Sequence, residues 1–453
     1  MVDSPISWTN IDVGLGIPFL HLCLERSKSA LVDFKFEDNS WPDIPPSIHE
    51  DIVLMLMPVG HRIRNLHLTW ITKPTIEKLL SQFTLTMPKL EGLSIFPRSI
   101  PPWTCAHPFD VASPALRRLR LKEMSVSWIS PMLCGLVKLE LEDGRKISVP
   151  SMDVFLDILD ACPGLTKLTL KLSGPILPFG VAEFLEPMRH VSLPHIKKVL
   201  LYDMANNLAY LLAHLVISSS AQLHMELHCD SDEPVDHEDA LVLTDLLPHD
   251  RTGLSNLVVA AYLHITYSLG YFHITAYPFG YGTCLDVELC QFVDDHSLLL
   301  PHALRDLADV FAASVVTCLI MDADMNRMDV VTWLSVLTQL SLLEELKVGC
   351  YSDNLPLFVA LQSSPINADT GLMVPHLKFL TVNRFSLNEE SLVPGIVACL
   401  QDRAAAGSRL VELEFIESFS PEVRFREQDV EAMRAVVGHF RCSEDGLPLP
   451  TVP

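Results

Sequence analysis

The chain is short of basic residues, of paired cysteines and of any long apolar run. Thirty-three lysines and arginines stand against 56 acidic residues, a formal charge of −23. That balance argues against a general nucleic-acid or anionic-membrane binder. Eleven cysteines are present, yet none is spaced Cys-x-x-Cys, and the odd, scattered set offers no disulfide framework. No Asn-x-Ser/Thr sequon occurs, and no basic–apolar signal segment opens the chain. Together these absences point to a reduced, intracellular setting, cytoplasmic and/or nuclear. Residues 252–285 carry no Asp, Glu, Lys or Arg. His264, His273, Pro278 and several glycines interrupt that segment before about 20 apolar residues accumulate, so a hairpin or buried strand pair is expected rather than a membrane helix.

The signatures of chemistry are missing as well. There is no Gly-x-Ser-x-Gly elbow and no phosphate loop. Asp322-Ala-Asp324-Met-Asn326 starts like a calcium loop, but Arg327 stands at the required glycine and Trp333 at the bidentate glutamate. His228, Cys229 and Asp230 lack a second ligand pair at metal spacing. The 18 histidines show no partner geometry in sequence. No catalytic residue, metal or cofactor is expected, and the chain reads as a non-enzyme.

What is present is a repeat: apolar, two free positions, apolar, one free position, apolar. Strict copies read Leu116-Arg-Arg-Leu119-Arg-Leu121, Leu165-Thr-Lys-Leu168-Thr-Leu170 and Leu377-Lys-Phe-Leu380-Thr-Val382. First positions fall at Leu31, Ile63, Leu90, Leu116, Leu136, Leu165, Ile196, Gln222, Leu254, Cys284, Val316, Leu343, Leu377 and Leu410. Most steps lie near the roughly 20–30 residues of leucine-rich repeats, and several exceed them. The last two apolar positions are two apart, as on one face of a strand. Helical patterns lie between, over 74–83, 181–188, 206–216, 302–313, 328–340, 389–400 and 427–440. Another opens at Ser151, with Phe155, Leu156 and Leu159 on one face. Pro88, Pro114, Pro163, Pro194 and Pro375 each stand two residues before a first position, where proline ends a helix.

The expected fold class is therefore α/β, a leucine-rich-repeat solenoid (horseshoe) with a parallel concave sheet and outer helices. A doubly wound parallel sheet is the competing architecture, but its strands would be longer apolar runs. Expected domains are a helical N-terminal cap over 1–30, the irregular solenoid over 31–442 and a flexible tail over 443–453. Residues 97–114 and the acidic 230–239 read as surface loops.

Residues flanking the last two apolar positions point outward. In the middle repeats they are Arg118, Arg120, Lys122, Lys138, Lys167, Lys171 and Lys198, diluted by Glu140 and Glu142. Later repeats present Glu226, Asp286, Glu288, Asp322, Glu345, Glu412 and Glu414, diluted by Lys347. The seven basic residues are the candidate partner-binding face, for an acidic or phosphorylated segment of a protein. Tyr262, Tyr267, Tyr271, Tyr277 and Tyr281 form a second candidate surface, with core packing as its competing explanation.

Two short segments go beyond a generic repeat. Pro5-Ile-Ser-Trp8-Thr-Asn-Ile11-Asp12, and Leu24-Glu-Arg26-Ser27 with Leu31-Val-Asp33-Phe34, resemble the stretch after the F-box in fungal (basidiomycete-type) F-box/leucine-rich-repeat proteins. Cys162-Pro163-Gly-Leu165 is similar to a phrase that recurs in their repeats. In that family the F-box docks on a Skp adaptor of a cullin–RING ubiquitin ligase while the repeats hold the substrate. Here the chain begins where the F-box would end, and no Leu-Pro-x-Glu-type opening is present. The resemblance implies a protein-recognition scaffold, or a substrate-recognition subunit of such a ligase if an F-box stands upstream.

Overall fold

A computed structural model describes residues 4–37, 52, 54–71, 76, 87–97, 103–104, 115–125, 127–142, 149–177, 188–227, 243–268, 271–280, 282–290, 299–323, 328–349, 355–362, 372–385, 392–417 and 425–443. Nearly all of the helices expected over 74–83 and 181–188 lies outside these residues. So do most of the 97–114 loop, the 230–239 segment, positions 324–327, Tyr281, His228, Cys229, Asp230 and the tail from 444. The chain divides into two compact units, Met1–Asp203 with Tyr210–Ser218, and Met204–Ala209 with Ser219–Pro453. Both are α/β, and their main-sheet pairings are mostly parallel.

The first unit holds eight parallel strands that pair strictly in chain order. They are β1 (Asn10–Asp12), β2 (Val32–Glu37), β3 (Ile63–Ile71), β4 (Gly92–Pro97), β5 (Arg118–Lys122), β6 (Lys138–Glu142), β7 (Lys167–Lys171) and β8 (Lys198–Asp203). The apolar spacing explains this arrangement. Leu165, Leu168 and Leu170 are each at most 3 % exposed, as are Leu116, Leu119 and Leu121. Three apolar side chains per repeat thus leave water, each worth roughly 1.5–3 kcal/mol. Leu31 departs from the pattern: it is exposed, and Val32 beside it fills the core instead.

The recurring proline has a local role. In Met87-Pro88-Lys89-Leu90 the Leu90 N–H donates to the Met87 carbonyl at 3.2 Å, closing a turn with proline at its second position. The same bond joins Leu165 to Cys162, Ile196 to Leu193 and Leu377 to Val374. Proline's fixed φ suits that position of a turn. The next residue then bonds the preceding repeat, as in Glu91 N–H to the Arg64 carbonyl at 2.7 Å and Lys197 N–H to the Thr166 carbonyl at 2.8 Å. The turn therefore delivers the chain into the sheet. Helix α1 (Ile17–Arg26) precedes β2, and α2 (Met152–Asp160) precedes β7. The Ser151 hydroxyl accepts from the Val154 N–H and caps α2, which buries Phe155, Leu156 and Leu159.

The second unit holds nine strands: β9 (Gln222–Leu227), β10 (Ala260–Ser268), β11 (Tyr271–Pro278), β12 (Leu285–Cys290), β13 (Cys318–Asp322), β14 (Glu345–Gly349), β15 (Phe379–Phe385), β16 (Glu412–Glu417) and β17 (His439–Ser443). Their spatial order is β9, β12, β11, β10, β13, then β14 to β17 in sequence. The uncharged segment supplies the antiparallel hairpin β10–β11, so a hairpin is what residues 252–285 build. No helix of the described residues is long and apolar enough to cross a membrane. The hairpin also swaps the order, because β11 runs against both neighbours and places β12 beside β9.

Helices α3 (Leu299–Val310), α4 (Val330–Gln339), α5 (Leu355–Gln362), α6 (Leu392–Ala405) and α7 (Glu427–Val436) each contact the next in line. Two features differ from the sequence reading. Leu254 opens a helical turn, Ser255–Val258, rather than a strand. Asn256, fully buried, donates to the Cys284 carbonyl at 2.8 Å and fixes that turn. The last helix stops at Val436, and residues 439–443 form a strand.

Candidate functional site

Strand register places the seven basic candidates in defined rows on the side of the first unit's sheet opposite the buried leucines. One row runs Asp33, Asn65, Gly92, Arg118, Lys138, Lys167, Lys198, one residue from each of β2 to β8. Neighbouring strands are about 4.8 Å apart, so four cationic side chains stand side by side at its far end. The next row carries Arg120, Glu140 and Thr169, and the third Lys122, Glu142 and Lys171.

The near end of the row is anchored. Arg64 grips Asp33 through two bonds, at 3.0 and 2.6 Å, and Asn65 donates to Asp33 at 2.5 Å. Burial opposes ionisation of Asp33, but these bonds and the charges of Arg64 and Arg118 prevail and hold its carboxyl below the usual range. Arg118 reaches back across Gly92 to the Asn65 Oδ1 at 2.9 Å and approaches Glu91 at 3.7 Å. A Cβ on Gly92 would lie 2.5 Å from the Asn65 Oδ1 and 3.5 Å from the Arg118 Nε, so the glycine keeps this crossing open.

The middle is partly neutralised. Arg120 pairs with Glu140 at 3.3 Å and Glu142 at 3.0 Å, and lies over the Phe96 ring at 4.6 Å. Lys167 pairs with Glu140 at 2.8 Å. Lys138 and Lys198 are exposed and, with Lys122 and Lys171, make no ion pair among the described residues. Of the seven candidates, then, Arg118, Lys138, Lys167 and Lys198 come together in one line. Arg120 is occupied, and Lys122 and Lys171 sit two rows away.

The acidic positions of the second unit are divided in the same way. Glu345 pairs with Lys347 at 2.8 Å, and Glu412 with Arg441 at 3.3 Å. Asp286 is held differently. Its Oδ2 lies 2.9 Å from His224 Nδ1, and its Oδ1 lies 2.7 Å from His273 Nε2. Register aligns His224 with Asp286, and Glu288 with both Glu226 and His273. One ligand atom from each of His224, Asp286 and Glu288 lies within 4.8 Å of the others. Burial works against the Asp286 charge, but the two imidazoles overcome it and hold the carboxyl far below its ordinary value. His273 is raised by its bond to Asp286, against burial, with the Asp286 and Glu288 charges adding to the rise. On β10, His264 is lowered by burial, and its Nε2 is shut from solvent without a hydrogen-bond partner.

The sequence reading missed this cluster. His224 and Asp286 stand two residues after Gln222 and Cys284, the same offset in two repeats, but Leu254 opens a repeat between them, so the repeat alone does not pair them. His273 enters through the antiparallel hairpin, which no repeat phase foretells. Of the tyrosines, Tyr267 is buried, whereas Tyr262 is exposed and packs edge-on against Phe279 at 5.8 Å. The chain matches no protein-family model and no curated protein sequence.

Proposed function

We propose that this chain is a non-catalytic protein-recognition scaffold of the F-box/leucine-rich-repeat type. In this reading it is a solenoid whose sheet presents the basic row to an acidic or phosphorylated protein segment. The observation that carries it is the line Arg118, Lys138, Lys167, Lys198, four cations in register on four adjacent strands. An extended anionic peptide laid across parallel strands meets such a line at regular intervals, and charge-assisted bonds to phosphate or carboxylate are the strong kind. The strictly sequential strand order of the first unit favours a repeat stack, since a doubly wound sheet reverses its order.

The test is fluorescence anisotropy with a labelled peptide of alternating phosphoserine and glutamate. The variant K138E/K198E changes two exposed side chains that bear no ion pair among the described residues, so folding should be preserved. Binding should fall about tenfold or more, since bonds to charged groups are worth about 1.5–3 kcal/mol each, and it should weaken as salt rises. Equal binding by variant and parent would overturn the reading.

The ligase reading rests on the N-terminal resemblance. Its two motif segments touch, with the Arg26 guanidinium 4.8 Å from the Trp8 ring centre. Co-purification of a Skp adaptor with the chain would favour it. Failure of that capture alongside peptide binding favours the stand-alone scaffold.

A further inference from the structure

Four outward-facing groups of the second unit, His224, His273, Asp286 and Glu288, meet where the sheet departs from chain order. They come from β9, β11 and β12, three adjacent strands. Asp286 and Glu288 are two apart on one strand and so share a face. All four sit on paired strands rather than loops, which fixes their spacing before any ligand arrives.

The charge balance around them differs from that of the first unit. There, Glu140 and Glu142 are answered by Arg120 and Lys167. Here Asp286 is answered by His224 and His273, and among the described residues no lysine or arginine pairs with it. A second observation lies one strand further along: the half-buried His264, whose Nε2 is closed to solvent with no hydrogen-bond partner among the described residues. A polar atom held dry without a partner is costly.

We propose that His224, Asp286 and Glu288 form a binding site for a divalent transition-metal ion, with His273 positioning Asp286 through its second oxygen. One imidazole nitrogen and two carboxylate oxygens suit zinc or its first-row neighbours. Calcium prefers six to eight oxygens, and magnesium retains much of its water. The 4.8 Å limit on the spread of the three ligand atoms allows one ion to reach all of them after small side-chain rotations. Where the metal takes the place of the hydrogen between His224 Nδ1 and Asp286, the neutral imidazole carries its one proton on Nε2. The Asp286–His273 contact is the carboxylate–imidazole support that such ligands commonly carry. The ion would clip β9 to β12, the pairing that spans the inserted hairpin.

The test is titration of the chelator-treated full chain with zinc by calorimetry and with cobalt by visible absorption. One ion should bind per chain. His224→Ala and Glu288→Gln should each remove the site, and His273→Gln should weaken it about 10–100-fold. Glu288 makes no hydrogen bond or ion pair among the described residues, so Glu288→Gln keeps the metal-free fold. An unchanged metal-free melting temperature checks that. Replacing the exposed thiols Cys134 and Cys442 by serine should leave affinity intact. Absence of binding overturns the proposal, and so does binding that survives Glu288→Gln or disappears with the thiols.

Discussion

Single residues decide whether this fold closes. Arg403 is 1 % exposed and has no carboxylate partner among the described residues. Its guanidinium donates to the Met373 carbonyl at 2.8 Å and the Val374 carbonyl at 2.9 Å, with Leu361 at 3.5 Å. Leu361 lies in the last turn of α5, where a cation complements the helix dipole. Val374 has φ +39°, an uncommon conformation for a β-branched residue, and it opens the proline turn that feeds β15. One buried fork therefore ties a helix end to a strained turn. Arg403→Ala should destabilise the second unit by about 2–4 kcal/mol, because it orphans buried carbonyls, as read by urea denaturation. Arg403→Lys should recover little, since an ammonium cannot reproduce the planar fork. None of this is legible in the sequence, where Arg403 is one more cation near the end of a helical stretch. The buried leucines, by contrast, were readable one by one, because each repeats a spacing that only a half-buried strand satisfies. Leu31 failed because its neighbour Val32 is also apolar, and packing chose between them.

At the scale of elements, caps and turns were more legible than partners. Asp329 precedes α4, and its carboxylate accepts from the Thr332 N–H at 2.7 Å. Backbone and side-chain hydrogen bonds with Thr332 keep that carboxyl below its ordinary value. Asp329→Ala should cost about 1 kcal/mol by thermal or chemical unfolding. The loss should be full at neutral pH and shrink as pH falls through the lowered carboxyl value, where the parent's cap is itself protonated. Helix α5 escaped notice for a physical reason: Leu355-Pro-Leu-Phe-Val-Ala-Leu-Gln362 is apolar on every side, so it has no periodicity to detect. The β10–β11 hairpin was expected in kind, but its effect on strand order was not. Register between strands distant in sequence belongs to tertiary pairing, and that is why the His224–Asp286–His273 contacts were invisible while each residue was in plain view.

Across the whole molecule, charge is uneven in a way that the total conceals. The −23 balance coexists with a cationic row, and 18 histidines stand ready to offset the acidic excess. As pH falls from 7, histidine protonation removes most of the negative charge before the bulk of the carboxylates titrate, which accounts for a pI near 5.1. Solubility should therefore drop steeply between pH 6.5 and the pI, with a turbidity maximum near pH 5.1. A broad, shallow profile without that maximum would contradict this account.

The exchanged strand order also has a consequence in time. A chain that leaves the ribosome from its N-terminus can add each strand of the first unit as soon as it appears, since every partner has already been made. Strand β9 must wait: β12, its partner, begins at Leu285, after the hairpin has been synthesised. During that interval the β9 edge carries unpaired amides and carbonyls, the kind of edge that invites mispairing. The hairpin can close by itself in microseconds. The vulnerable chain is thus one that has exposed β9 but not β12, and truncated chains released with ends between residues 228 and 285 should be the most readily captured by chaperones.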